Sequence, residues 1–194
     1  MPTIYFATSN EAKVKNAQAS LASFGFTVKQ IPMELAESRA EDPQDIALEK
    51  ARQAYTKLKK PVIVEDSGFF IDALGGFPKT HIKFSLSTLG ITNILKMLRG
   101  VKNRGASWRM SVAYVSGKEK FETFTFVERG EIATRLRKIS RETMSDYWRI
   151  YIPHHPKGNK KSLSEMSGEE MRKREEVWNK NNQFTMLGKW LKNK

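Results

Sequence analysis

The chain has 194 residues, with 34 lysines and arginines against 21 aspartates and glutamates, a formal net charge of +13. Hydrophobic residues make up 39% and aromatics 10%, enough for a buried core and too many for a disordered chain. Cysteine is absent, which excludes disulfide scaffolds, cysteine-ligated zinc and iron–sulfur sites, and thiol nucleophiles. No run approaches the roughly 20 apolar residues that cross a bilayer. The opening MPTIYFATSN lacks the charged and long apolar regions of a secretory signal. The expectation is a soluble cytoplasmic protein forming one domain over residues 1–194, with no membrane partner. The three histidines, His81, His154 and His155, show no helical i, i+4 zinc spacing.

In chain order, TIYFA (3–7) is an apolar, β-rich run that stops at Thr8-Ser9-Asn10. Val14, Ala17, Leu21 and Ala22 then repeat near every 3.6 residues and predict a helix ending before Gly25. FTVKQI (26–31) reads as a second strand. Asp42 followed by Pro43 marks the start of a second helix, whose apolar face is Ile46, Ala47, Ala51, Ala54, Tyr55 and Leu58. PVIV (61–64) reads as a short buried strand leading into an acidic turn, Glu65-Asp66-Ser67-Gly68. Strand, helix, strand, helix, strand is an α/β order. SWRMSVAYV (107–115) and KFETFTFVERGEI (120–132) predict two antiparallel strands about a short turn. From about Ser167 the chain is charged and helical, with Trp178, Phe184, Leu187, Trp190 and Leu191 as its apolar stripe.

The basic excess lies in the second half. Residues 99–142 hold eleven lysines and arginines against five glutamates, and residues 157–194 hold ten against five. Such a surplus favours polyanions, nucleic acid or nucleotide phosphates, and serves equally as a solubility setting with no partner.

No P-loop, dinucleotide fingerprint or nucleophile-elbow serine occurs. Three features remain. Thr8-Ser9-Asn10 with Lys13 one turn into the helix suits a phosphate, since backbone amides at a helix start favour anions, and suits a plain helix cap equally. Glu65-Asp66-Ser67-Gly68 stands where open α/β sheets bind ligands, and carboxylates beside a hydroxyl suit Mg²⁺. Ala73-Leu74-Gly75-Gly76-Phe77-Pro78 is a loop that lets backbone approach a ligand.

Together TSNEAK (8–13), VIVEDSGFFIDALGGFP (62–78) and LSEM (163–166) resemble the inosine triphosphate pyrophosphatase family, in its archaeal and eukaryotic branch. The resemblance implies a two-lobed α/β fold around a long mixed β-sheet with flanking helices, a nucleotide cleft, and a homodimer. It implies hydrolysis of non-canonical purine nucleoside triphosphates such as ITP, dITP and XTP to a monophosphate and pyrophosphate, by water attack on the α-phosphorus. Carried over by position, Thr8, Ser9, Asn10 and Lys13 match the phosphate-gripping turn. Asp66 matches the central metal carboxylate, with Ser67 beside it on the substrate and Glu65 at an adjoining acidic, catalytic position. Glu37 matches the second metal carboxylate if one residue is inserted in ELAESRAEDP (34–43). Lys50 and Lys83 match the lysines that reach the triphosphate. The implied cofactor is Mg²⁺, with Mn²⁺ as the alternative.

The departures cluster. The family's Phe-Gly-Tyr/Trp-Asp segment reads Ser145-Asp146-Tyr147-Trp148 here, with Trp148 where the aspartate belongs. Its purine-contacting Ser-His-Arg is absent. Aligned from the C-terminus those positions are Trp178, Asn179 and Lys180, and aligned from Met166 they are Glu175, Glu176 and Val177. A lysine just upstream becomes Arg174 or Met171, Lys79 replaces a glycine after Pro78, and Asn16 replaces a glutamate. The triphosphate-gripping residues are thus largely kept and the base-reading ones largely lost. A pyrophosphatase with altered or relaxed base choice is the leading expectation. A nucleotide-binding descendant with weak or no turnover, and a basic nucleic-acid-binding or interaction module on the same scaffold, are the alternatives.

Overall fold

The computed structural model describes residues 2–36, 38–140 and 143–194. Seven strands form one sheet in the order β2 (Thr27–Ile31), β1 (Thr3–Ala7), β3 (Val62–Ile71), β5 (Gly105–Gly117), β6 (Lys120–Ile132) and β7 (Tyr151–Pro153), with β4 (Pro78–Lys79) paired to β3. The chain divides into two compact units. Unit 1 holds residues 1–67, 110–126 and 178–194, and unit 2 holds 68–109 and 127–177.

In unit 1, β1 (Thr3–Ala7) pairs in parallel with β2 (Thr27–Ile31), and Tyr5 and Phe6 pair in parallel with Val62 and Ile63 of β3 (Val62–Ile71). Parallel neighbours need crossover helices, and α1 (Glu11–Ala22) and α2 (Pro43–Leu58) supply them. Both start as their sequences predict. The Asn10 side chain accepts from the amides of Ala12 and Lys13, and the Asp42 side chain accepts from Gln44 with Pro43 in the first turn. Strand alternation sorts β1 and β3 between two packed layers. Ile4, Phe6 and Ile63 pack with Val14, Ala17 and Leu21 of α1, and with Phe184 and Leu187 of α6 (Gln183–Lys192). Ala7, Val62 and Val64 pack with Ala47, Ala51 and Ala54 of α2, whose small side chains let it lie close to the sheet.

Unit 2 contains β4 (Pro78–Lys79), α3 (Ile82–Thr88), α4 (Gly90–Met97), β7 (Tyr151–Pro153) and α5 (Gly168–Trp178) up to Val177. Its core is Phe69, Ile71, Ile94, Leu98, Ile132, Tyr147, Ile150, Tyr151, Leu163 and Met171, with Trp108 and Trp148 packed against it. Phe69 sits at the centre, with ring centroids 4.7 Å from both Trp108 and Tyr147. β5 (Gly105–Gly117) and β6 (Lys120–Ile132), joined by a two-residue turn, confirm the predicted strand pair and contribute residues to both units.

One expectation needs correction, and two further details come from the structure alone. β3 does not stop at Val64, because Glu65-Asp66-Ser67-Gly68 continues as strand to Ile71. The helical tail is two helices, broken where Asn182 caps α6 by accepting from the Thr185 amide. Residues 82–97, left without an element by the sequence reading, form α3 and α4. No helix among the described residues is long and apolar enough to cross a membrane.

Candidate active site

The strand order places β1 between β2 and β3, so the chain leaves β1 to one side and returns on the other. The carboxyl end of such a strand is a topological switch point, where open α/β sheets leave a crevice. Thr8-Ser9-Asn10 follows β1 there. The Thr8 amide still donates to Ile31 (3.2 Å), and the Thr8 hydroxyl accepts from the Asn10 amide (3.1 Å). With Asn10 Oδ1 accepting from Ala12 and Lys13 (3.0 and 3.2 Å), the turn is rigidly set at a helix start whose dipole favours an anion. Ser9 is exposed beside it.

Counting on from the Phe6–Ile63 pair sets Thr8 level with Glu65. Successive strand residues point to opposite faces, and the two carboxylates of β3 therefore part. Glu65 turns towards the α1 layer, where Lys13 Nζ lies 2.7 Å from its Oε2 and 3.2 Å from its backbone oxygen. The Glu65 side chain is 4% exposed. Burial pushes its carboxyl pKa up, and the Lys13 charge and hydrogen bond oppose that rise. Asp66 turns towards α2, where Lys50 Nζ lies 3.0 Å from Oδ2. Its other oxygen, Oδ1, accepts from the Ser67 amide at 2.8 Å. The Asp66 side chain is 19% exposed, so water and ligand reach it as they do not reach Glu65.

Unit 1 thus brings together Thr8, Ser9, Asn10, Lys13, Lys50, Glu65, Asp66 and Ser67. Lys83 lies exposed on α3 in unit 2. Glu37 lies outside the described residues. Among the described residues no three His, Asp or Glu side chains cluster as a metal cage.

The C-terminal residues behave differently. Trp178 is half-buried, its ring edge-on to Phe126 with centroids 6.2 Å apart. Asn179 belongs to a packing network. Its Oδ1 accepts from Asn182 Nδ2 (3.1 Å) and the Ser20 hydroxyl (3.4 Å), and its backbone oxygen accepts from the Thr185 hydroxyl (2.6 Å). Lys180 is exposed. Arg174 Nη2 donates to both carboxylate oxygens of buried Glu128, and the Tyr151 hydroxyl donates to the Glu128 backbone oxygen (2.9 Å). This buried ion pair escaped the sequence reading, because nothing local links a glutamate on β6 to an arginine 46 residues later.

Comparison with known proteins extends the picture. Residues 4–176 match the model of the Ham1 family. A dITP/XTP pyrophosphatase of Methanopyrus kandleri is 34% identical over 190 residues, 98% of this chain and 96% of that protein. An inosine triphosphate pyrophosphatase of Kluyveromyces lactis is 29% identical over 196 residues, 99% of this chain and 97% of that protein. Among solved structures, a HAM1 protein from Coxiella burnetii superposes with a TM-score of 0.82 at 20% identity, covering 100% of both chains, which supports the fold. With the family model spanning most of the sequence and curated relatives matching it from end to end, the chain belongs to the Ham1 family.

Proposed function

We propose that this protein hydrolyses non-canonical purine nucleoside triphosphates (dITP, XTP and ITP) to the monophosphate and pyrophosphate. The observation that carries this reading is the pairing of Lys50 with the accessible Asp66 carboxylate beside the Thr8–Asn10 turn. Phosphoryl chemistry of this kind depends on positioning and charge neutralisation more than on covalent participation by the protein. The amides of the turn, Lys13, Lys50 and Lys83 bind the polyphosphate. Ser67 orients it beside Asp66. Glu65 acts through Lys13, fixing that ammonium from the opposite face of β3.

The donor set fits Mg²⁺. Asp66 offers oxygen only, and Mg²⁺ takes one or two carboxylates and leaves its other positions to water and substrate phosphates. Asp66 would hold it, with Glu37 as the second carboxylate and Lys50 shifting to the phosphates. A bound Mg²⁺ supplies charge neutralisation and a more acidic water. Water attacks the α-phosphorus and pyrophosphate leaves. We place the enzyme in the cytoplasm, where nucleotides are held, and as a homodimer, for which exposed Phe84, Leu89 and Met97 on and around α3 and α4 offer apolar surface.

One panel tests the function: pyrophosphate release from dITP, XTP, ITP, dUTP and ATP, with Mg²⁺ and with chelator. Metal-dependent release from the first three is expected. No release from any triphosphate would leave a nucleotide-binding protein without turnover. A nucleic-acid module stacks bases on exposed aromatic faces, and Trp148 and Trp178 are both half-buried, so nothing specific favours that reading.

A further inference from the structure

The Thr8–Asn10 turn has an amide that its own side chains leave unused. The Thr8 hydroxyl takes the Asn10 amide, and Asn10 Oδ1 takes those of Ala12 and Lys13. Among the described residues, the Ser9 amide has no hydrogen-bond partner. An unpartnered amide at the start of a 12-residue helix favours an anion, provided that it points at one. Its direction is set by the peptide it belongs to. In a trans peptide the carbonyl of one residue and the amide of the next point in opposite directions, so the Thr8 carbonyl decides where the Ser9 amide faces.

That carbonyl is held by a side chain from the neighbouring strand. Gln30 Nε2 donates to the Thr8 backbone oxygen at 3.0 Å. Gln30 stands beside Phe6 in the β1–β2 register, on the face that Phe6 and Val28 turn to α1, and is half-buried there. The Thr8 amide donates to Ile31 on the same strand, so both backbone polar groups of Thr8 are tied to β2. The Ser9 amide is thereby turned away from β2, to the side of β1 on which β3 lies with Asp66. Without the Gln30 donor this exposed peptide is free to rotate, and a carbonyl facing that side repels phosphate oxygens where an amide attracts them. We infer that Gln30 is a positioning residue of the phosphate site, holding the Thr8–Ser9 peptide with its amide towards the substrate. The inference rests on the proposed activity for the identity of its ligand, and not on the metal.

The test is titration of the full chain with inorganic pyrophosphate in chelator, followed through the proton–nitrogen NMR signal of the Ser9 amide. The proteins are the wild type, Gln30→Met, Gln30→Glu and Gln18→Met. Gln30→Met keeps the length of the side chain and loses its donor, and Gln30→Glu sets an acceptor against the carbonyl. Gln18→Met is the control, because Gln18 Nε2 also donates from the α1 face to a β2 carbonyl, that of Val28 (3.4 Å), without touching Thr8. The remaining amide signals report the fold of each variant. A downfield shift of the Ser9 amide is expected in the wild type and in Gln18→Met. Both Gln30 variants should lose most of that shift and bind pyrophosphate at least about fivefold more weakly, as loss of one hydrogen bond to a charged group predicts. KM for dITP should rise by a similar factor while kcat changes less than about twofold. Unchanged affinity and Ser9 shift in the Gln30 variants, an equal loss in Gln18→Met, or a wild-type Ser9 amide that does not respond to pyrophosphate overturns the role. If the Gln30 variants bind as the wild type does while Asp66→Asn abolishes metal-dependent hydrolysis, the role fails and the proposed function stands. If the Ser9 shift depends on Gln30 and no triphosphate is hydrolysed, the role stands and the proposed function fails.

Discussion

Glu65 and Asp66 are neighbours in the chain and face opposite sides of the sheet, each held by a lysine from a different helix. Two adjacent carboxylates thus do separate jobs. Glu65 is enclosed and ion-paired, while Asp66 remains partly open with one oxygen held by a backbone amide.

Replacing Asp66 with Asn should therefore lower metal-dependent pyrophosphate release from dITP by at least about a hundredfold, the loss expected of one strong electrostatic contribution. The side chain keeps its shape, and the fold should survive. Steady-state rates at saturating Mg²⁺ check this, and a rate within tenfold of wild type removes Asp66 from the chemistry.

The separation of the carboxylates was not legible in the sequence. VIVEDSG looked like a buried strand ending in an acidic turn, because four consecutive polar or small residues usually mark a chain reversal. Partners distant in sequence decide otherwise: Lys13 and Lys50 neutralise the carboxylates and let the strand continue. The caps at Asn10 and Asp42 were legible because capping is local. So were the apolar faces of α1 and α2, which follow helical period, except that Ala22 is exposed. The break before α6 was not, since it depends on Asn182 meeting Ser20, a hydrogen bond of 2.8 Å across 162 residues.

Glu65→Gln should show the opposite character to the Asp66 variant. It leaves the chemistry intact but frees Lys13, so KM for dITP should rise about tenfold while kcat changes less. Burial raises the Glu65 carboxyl pKa in the folded state. A raised folded pKa gives stability that is complete below the unfolded value and is lost as pH rises through the folded value. Glu65→Gln lacks this loss. Urea midpoints of the two proteins, compared from acid to mildly alkaline pH, should shift in favour of the variant as pH rises. A shift in the reverse direction would mean that the Lys13 pair outweighs desolvation.

Glu128 and Arg174 form the buried ion pair of unit 2, with side chains 6% and 11% exposed. Removing either partner alone leaves an uncompensated buried charge, which costs about 3–5 kcal/mol. Glu128→Leu and Arg174→Met should each lower stability by about that amount. The double variant should recover most of the loss, because two apolar side chains avoid the desolvation that both charges suffer. Equilibrium urea unfolding measures all three, and additive losses in the double variant would show that the pair is not coupled.

The last prediction concerns the base. A 6-oxopurine differs from adenine in presenting an acceptor where adenine presents an amino group, so discrimination needs donors aimed at that position. In the register set from the C-terminus, Trp178 packs on Phe126 and the Asn179 side chain is anchored through its oxygen by Asn182 and Ser20, which leaves the exposed Lys180 as the cationic donor. In the register set from Met166, the same positions are Glu175, Glu176 and Val177, all exposed and none a cation. One solvated donor contributes about 1–3 kcal/mol at best, so the kcat/KM ratio for ITP over ATP should be roughly tenfold to a hundredfold. Lys180→Ala should bring it close to unity while leaving kcat/KM for ATP nearly unchanged, because only the 6-oxo contact is lost. Side-by-side specificity constants decide the matter. A wild-type ratio above about a thousandfold, or a ratio indifferent to Lys180, would mean that the purine is read by residues outside both registers.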